Sequence, residues 1–230
     1  MIPERQQLIL EAIIKEYVKT AQPVSSGVLA TKYHLSLSPA TVRNEMMELE
    51  EAGYIYQPHT SAGRVPTEAA YNLGVEKLLK NRKRNLTPAQ EKLLEQALSS
   101  GEGNLKATAK VVAELSGHAV FWAFHKNDLY YTGISNLFSQ AEFRRLDLIS
   151  DVSGVIDRME EIIDALFDDL PFGPAVLIGS ANPFGNFLSA ILLKYKQNNR
   201  TGVMGILGPL RLDYERQLAL VEYLADKLAK

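Results

Sequence analysis

Apolar residues recur at helical spacing through the first fifty positions, and then the pattern shortens to strand-like runs. From Arg5 to Tyr17 the residues Leu8, Ile9, Ala12, Ile13 and Tyr17 share one side of a predicted amphipathic helix. Pro3 suits its first turn, Glu4 suits the positive end of its dipole, and Ala21-Gln22-Pro23 stops it. A short second helix, capped by Ser25 or Ser26, holds Val28, Leu29 and Tyr33. After a turn over residues 34–37, Ser38 is a natural N-cap with Pro39 at the first helical position. In the helix that follows, Val42, Met46 and Leu49 fall on one face. Ala40, Arg43, Asn44 and Met47 fall on the other, with Thr41 at the border. Gly53 ends this helix, and Tyr54-Ile55-Tyr56 begins a strand that leads into Gln57-Pro58-His59-Thr60-Ser61-Ala62-Gly63-Arg64-Val65-Pro66-Thr67.

Three helices followed by such a hairpin predict a winged helix-turn-helix. Small residues in the first turns of the third helix, Ser38 and Ala40 among them, let it enter a major groove. Arg43 can pair with a guanine edge and Asn44 with an adenine edge, Thr41 is expected to read base edges with them, and Met47 lies on the same face. Glu45, Glu48, Glu50 and Glu51 would be repelled by phosphate, so only the N-terminal half of that helix should approach DNA. In the hairpin, Pro58 and Pro66 keep the flanks extended and Gly63 permits a tight turn at the tip. Arg64 beside that turn can reach a phosphate or a narrow minor groove, and Thr60 and Ser61 can bond phosphate oxygens. His59 reads as a backbone or phosphate contact rather than a metal ligand. An ordinary hairpin with a solvated arginine, or a protein-binding winged helix, would carry some of the same residues; the helices before the hairpin favour DNA.

Residues 1–70 form the expected DNA-binding domain and residues 71–86 a linker helix. That helix is capped by Thr67 and ends in the cations Lys80, Arg82, Lys83 and Arg84. Residues 87–230 form a second, α+β domain. Within it, residues 86–98, 105–115, 152–170 and 214–228 read as helices. Residues 120–124, 129–134, 175–178, 187–195 and 202–207 read as strands of a central antiparallel sheet.

The net charge of -2 is unusual for a DNA binder. Residues 1–84 hold eleven Lys and Arg against nine Asp and Glu, so binding would rest on a local patch drawn from Arg5, Lys19, Lys32, Arg43 and Arg64. Zero cysteines exclude disulfides and thiolate metal sites, and no apolar run is long enough to span a bilayer. A soluble cytoplasmic protein without membrane attachment is expected. As an enzyme the chain would have to use Asp147, Asp151, Asp168, Asp169, His118 or His125, yet none has the spacing of a catalytic or metal motif, so no cofactor and no turnover are expected.

The pieces Glu4 to Leu10, Gln22 to Ser26, Ser38 to Met46 and the whole hairpin resemble the heat-inducible transcription repressor family, HrcA. The likeness resumes at Leu129 to Phe138, Glu142-Phe143 and Gly202 to Tyr214. It implies a winged-helix domain joined to a GAF-like domain. It also implies repression of chaperone genes by a homodimer on an inverted-repeat operator in double-stranded DNA, with the chaperonin GroEL as helper. Members of the family usually carry a dimerising insert within the GAF-like domain. Here His118 to Tyr131 reads as two strands joined by a short polar turn, which leaves no room for it. The competing expectation is a ligand-gated regulator that senses a small molecule through its GAF-like domain, with residues 179–183 as a loop at a pocket rim or a simple turn.

Overall fold

The computed structural model describes residues 2–81, 84–99, 105–125, 128–197 and 200–228. The chain divides into two compact units, residues 1–82 and 83–230. Among the described residues, no helix is long and apolar enough to cross a membrane.

The first unit contains α1 (Glu4–Thr20), α2 (Ser26–Lys32), α3 (Pro39–Glu51), β1 (Ile55–Tyr56), β2 (Val65–Pro66) and α4 (Glu68–Lys80). Its core gathers Ile9 and Ile13 of α1, Leu29 of α2, Val42, Met46 and Leu49 of α3, Ile55 of β1 and Ala70 of α4. Leu8 departs from expectation. It is 54% exposed, while Gln6, Leu10 and Glu16 are buried. At roughly 100° per residue, Leu8 lies a full step outside the stripe centred on Ile9, Ile13 and Glu16. Thr67 is at the N-cap of α4, but its hydroxyl does not cap: it donates to the carbonyls of Gly53 (2.7 Å) and Tyr54 (3.0 Å), closing the end of α3. In α4, Ala70, Tyr71 and Val75 are buried, and Lys77 pairs with Glu11 of α1. Of the cations expected after α4, Arg82 and Lys83 lie outside the described residues.

The second unit begins with α5 (Pro88–Ser99) and α6 (Leu105–Ser116), then a hairpin of β3 (Ala119–His125) and β4 (Asp128–Thr132). The turn expected between these strands, Lys126-Asn127, lies outside the described residues. Next come α7 (Ile134–Phe138), a 3-10 turn over Ala141–Arg144, α8 (Leu146–Asp157) and α9 (Met159–Asp169). The strands β5 (Gly173–Ile178), β6 (Leu188–Gln197) and β7 (Arg200–Pro209) and the helix α10 (Tyr214–Leu228) close the chain. All pairings are antiparallel and the strand order is β4-β3-β7-β6-β5.

Alternation along the strands sends side chains to two buried faces. Phe121, Leu188, Ala190, Leu192 and Val203 join Val155, Met159, Ile163 and Phe167 of α8 and α9 in one core. Trp122, Ile191, Leu193, Met204 and Ile206 point the other way and are also buried, on the side where α6 and α10 pack. There the Trp122 indole donates to the Tyr195 hydroxyl (2.6 Å), and Ser189 bonds the Tyr214 hydroxyl (2.6 Å). The architecture is the α+β one expected, with helices on both sides of an antiparallel sheet.

Three local expectations change. Residues 152–170 are two helices rather than one, because Arg158 leaves the helical region (φ -102°, ψ 12°) and its side chain takes the Gly154 carbonyl. The first of them starts at Leu146, six residues early, where Leu146, Leu148 and Ile149 already supply apolar positions. Residue 134 begins a helix instead of ending a strand: Gly133 turns the chain with φ 73°, and a Cβ there would lie 2.5 Å from the His118 carbonyl oxygen.

Candidate nucleic-acid interface

The third helix is built by its cap. Ser38 Oγ accepts from the Thr41 amide (3.1 Å), Pro39 needs no partner at the first position, and the helix starts as its sequence dictates. Replacing such a cap by alanine typically costs about 1 kcal/mol. The Thr41 hydroxyl is bonded to Ser38 Oγ (2.9 Å), so both hydroxyls belong to the cap, and Thr41 is half-buried. Val42, Glu45, Met46 and Leu49 are buried. Ala40, Arg43, Asn44 and Met47 face solvent on the opposite side.

The glutamates of α3 are less exposed to a phosphate backbone than their number suggests. Glu45 is buried and pairs with Arg5 of α1. Glu48 accepts from Gln6 Nε2 at 2.5 Å. Glu50 turns to the hairpin: its Oε1 accepts the Gln57 amide (3.0 Å), and its Oε2 meets Arg64 Nε (2.9 Å) and Nη2 (2.8 Å).

The hairpin is a short wing. Ile55 pairs with Pro66 and Tyr56 with Val65, and a third strand position is added by Val24, which exchanges both backbone hydrogen bonds with Arg64 (2.8 and 2.9 Å). At the tip the Ala62 amide returns to the His59 carbonyl (3.0 Å), and Gln57 Nε2 donates to the Ala62 carbonyl (2.9 Å). His59, Thr60 and Ser61 are exposed. The residue with positive φ in this turn is Ser61 (69°), not Gly63. Gly63 is required for a different reason: a Cβ there would lie 2.4 Å from the Val24 backbone, so only glycine lets the wing close on the segment before α2. Between α3 and the wing runs an open groove of about 380 Å³, with Arg43, Met46 and Met47 on one wall and Gln57, Ser61 and Gly63 on the other.

Of the cations proposed for phosphate contact, three are engaged within the unit. Arg5 pairs with Glu45, Lys32 with Glu16, and Arg64 with Glu50. The Arg64 side chain is only 17% exposed. Among the described residues, Arg43 and Lys19 make no ion pair, and Arg43 stands at the groove. Glu16 is itself held charged: the Lys32 ammonium bonds it and keeps its carboxyl below the usual range, and Tyr33 donates to it as well. The same contact, with burial as the larger cause, pushes the Tyr33 phenol up to about 12. Sequence reading alone passed over Val24 and the wing-holding role of Glu50; the only local signal was a β-branched residue directly after Pro23.

The carboxylates and histidines weighed for acid-base work are dispersed. Asp147 is bonded to Arg145 on the surface. His118 is buried, its Nδ1 has no partner, and burial with the nearby charges of Arg211 and Arg216 lowers its pKa to about 4. The side chain of His125 lies outside the described residues. Among the described residues, no group of three His, Cys, Asp or Glu could hold a metal ion.

The chain has known relatives. The family model described as "HrcA protein C terminal domain" matches residues 38–218. A heat-inducible transcription repressor HrcA of Carboxydothermus hydrogenoformans is 27% identical over 337 aligned positions, covering 100% of this chain and 98% of that protein. This chain has 230 residues, so the alignment leaves long gaps on its side. The protein of the same name from Geobacter sulfurreducens is 40% identical over 153 residues, which are 64% of this chain and 41% of that protein. That match thus spans about two fifths of the relative's length. A solved crystal structure of a hypothetical protein superposes with TM-score 0.83 at 19% identity, covering 100% of this chain and 98% of the other, a likeness of fold.

Proposed function

Because the chain belongs to the HrcA family, we propose that it is a DNA-binding transcriptional repressor of heat-shock genes. Its relatives are named heat-inducible transcription repressors. The observation that carries the reading is the exposed Arg43-Asn44 pair beside the groove, on a helix whose Glu45, Glu48 and Glu50 are turned to internal partners. An arginine and an asparagine adjacent on one outer face are the two side chains best suited to bidentate pairing with guanine and adenine edges.

In this reading Arg43 and Asn44 read bases, with Ala40 and Met47 packing on the groove floor. Ser38 and Thr41 place the positive end of the helix toward a phosphate. His59, Thr60 and Ser61 lie along the neighbouring backbone. The chain acts as a homodimer on an inverted repeat, because one small domain with few unpaired cations needs two half-sites to reach useful affinity. The GroEL chaperonin is the further partner that family membership suggests.

The test is binding of the purified chain to an inverted-repeat duplex from a chaperone promoter, against a scrambled duplex, across a salt series. The expected result is tight, sequence-dependent binding that needs both half-sites. Equal and weak binding to the two duplexes would overturn the reading.

A further inference from the structure

We propose that Glu50 and Arg64 are the staple that sets the wing against the recognition helix, so that Arg64 acts as a positioning residue rather than as a phosphate clamp. The proposal rests on the DNA-binding reading above and assigns work within that site.

The geometry is specific. Glu50 sits in the last turn of α3, and its two oxygens divide their labour. Oε1 accepts the backbone amide of Gln57, at the end of the outgoing strand. Oε2 takes Arg64 Nε and Nη2, at the start of the returning strand. One carboxylate therefore grips both legs of the wing. Arg64 is also locked from behind by its paired backbone bonds to Val24, and Gly63 brings the chain against that same residue. Two-residue strands hold a hairpin weakly by themselves, so an outside anchor determines where the tip lies.

The Arg64 side chain is 17% exposed and the Glu50 side chain 33%. An arginine already neutralised by a carboxylate releases few counterions when DNA arrives. Its contribution should appear in discrimination between sequences, not in salt dependence.

The experiment measures operator and scrambled-duplex affinities across salt for wild type, Glu50→Gln, Arg64→Ala and the double variant of the full chain. The expected result is a loss of about tenfold in the operator-to-scrambled ratio in each single variant, and no further loss in the double, because both remove one coupled contact. Arg64→Ala should leave the salt slope as in wild type. Glu50→Gln should steepen it by about one, since the freed arginine gains a phosphate. An Arg64→Ala slope lower by about one, with discrimination intact in Glu50→Gln, would overturn the proposal and make Arg64 a plain clamp. Amide exchange of Gln57 in the DNA-free protein gives an independent reading: faster exchange in Arg64→Ala and in Glu50→Gln supports the staple, and unchanged exchange in both opposes it. If wild type itself fails to discriminate, the repressor reading falls, while the exchange measurement still decides whether the staple exists.

Discussion

The two units hold themselves together by different means. The first has a small core and joins its elements through carboxylates: Glu16 ties α1 to α2, Glu45 ties α3 to α1, Glu11 meets α4 and Glu50 meets the wing. The second buries both faces of a five-stranded sheet, with neutral contacts such as Trp122 with Tyr195 and Ser189 with Tyr214 inside it, and carries ion pairs, Arg84 with Glu222, Arg211 with Glu142 and Lys227 with Glu95, outside the strands. A small domain has little apolar surface to bury, so directional polar links must place its parts. The larger unit adds a wide packed sheet to its ion pairs. The lesson is that charge in the first unit is spent on geometry, which leaves Arg43 as the exposed cation at the groove.

Four experiments would break or sharpen this contrast. Phe121→Ala removes a ring buried between the sheet and Phe184, and should destabilise the second unit by about 3–5 kcal/mol in urea unfolding. A loss under 1 kcal/mol would mean that packing is not what holds that unit. His118 comes next. Its folded pKa of about 4 is below the ordinary 6.5, so the unfolded chain binds the proton more readily. Stability should be level above pH 6.5 and fall as pH drops from 6.5 toward about 4, by up to roughly 3 kcal/mol. His118→Gln should flatten the unfolding free energy over that window, and an unchanged profile would count against a buried neutral imidazole.

Arg43→Ala should cost roughly 1–3 kcal/mol per half-site and relax specificity at one base pair, read by operator variants in the binding assay. No change in either specificity or salt slope would remove α3 from the interface. The smallest effect belongs to Glu16. Its carboxyl is depressed first by the Lys32 bond, so its contribution is present above the ordinary carboxylate range and is lost as pH falls through the folded value. The stability difference between wild type and Glu16→Gln should shrink steadily below pH 4.5. A constant difference would show that shape, not charge, is what Glu16 provides.

Much of the candidate site was legible because its signals are local. Ser25 and Ser38 cap the helices that follow them, Val42, Met46 and Leu49 form the buried stripe, and Arg43 and Asn44 face outward. The closing helix runs from Tyr214 to Leu228, as its period indicates. Other elements were obscured where the local signal was weak or misleading. Gly63 reads as a tip glycine, yet the strained position is Ser61 and the glycine serves a contact with Val24, 39 residues earlier in the chain. The division at Arg158 and the early start at Leu146 lie in a stretch where apolar spacing alone would allow one helix or two.

The amino-acid sequence by itself determined the helices of the first unit, the caps of α2 and α3, the alternation of the buried strands and the outward face of α3, since each depends on residues within a turn or a strand of one another. Only the tertiary structure decided which glutamates of α3 would take a cation, and which one. Four glutamates and several arginines and lysines allow many pairings, and nothing local ranks them. Packing of α1, α3 and the wing brought Arg5 to Glu45 and Arg64 to Glu50, because ion pairs form between whatever charges the core leaves within reach.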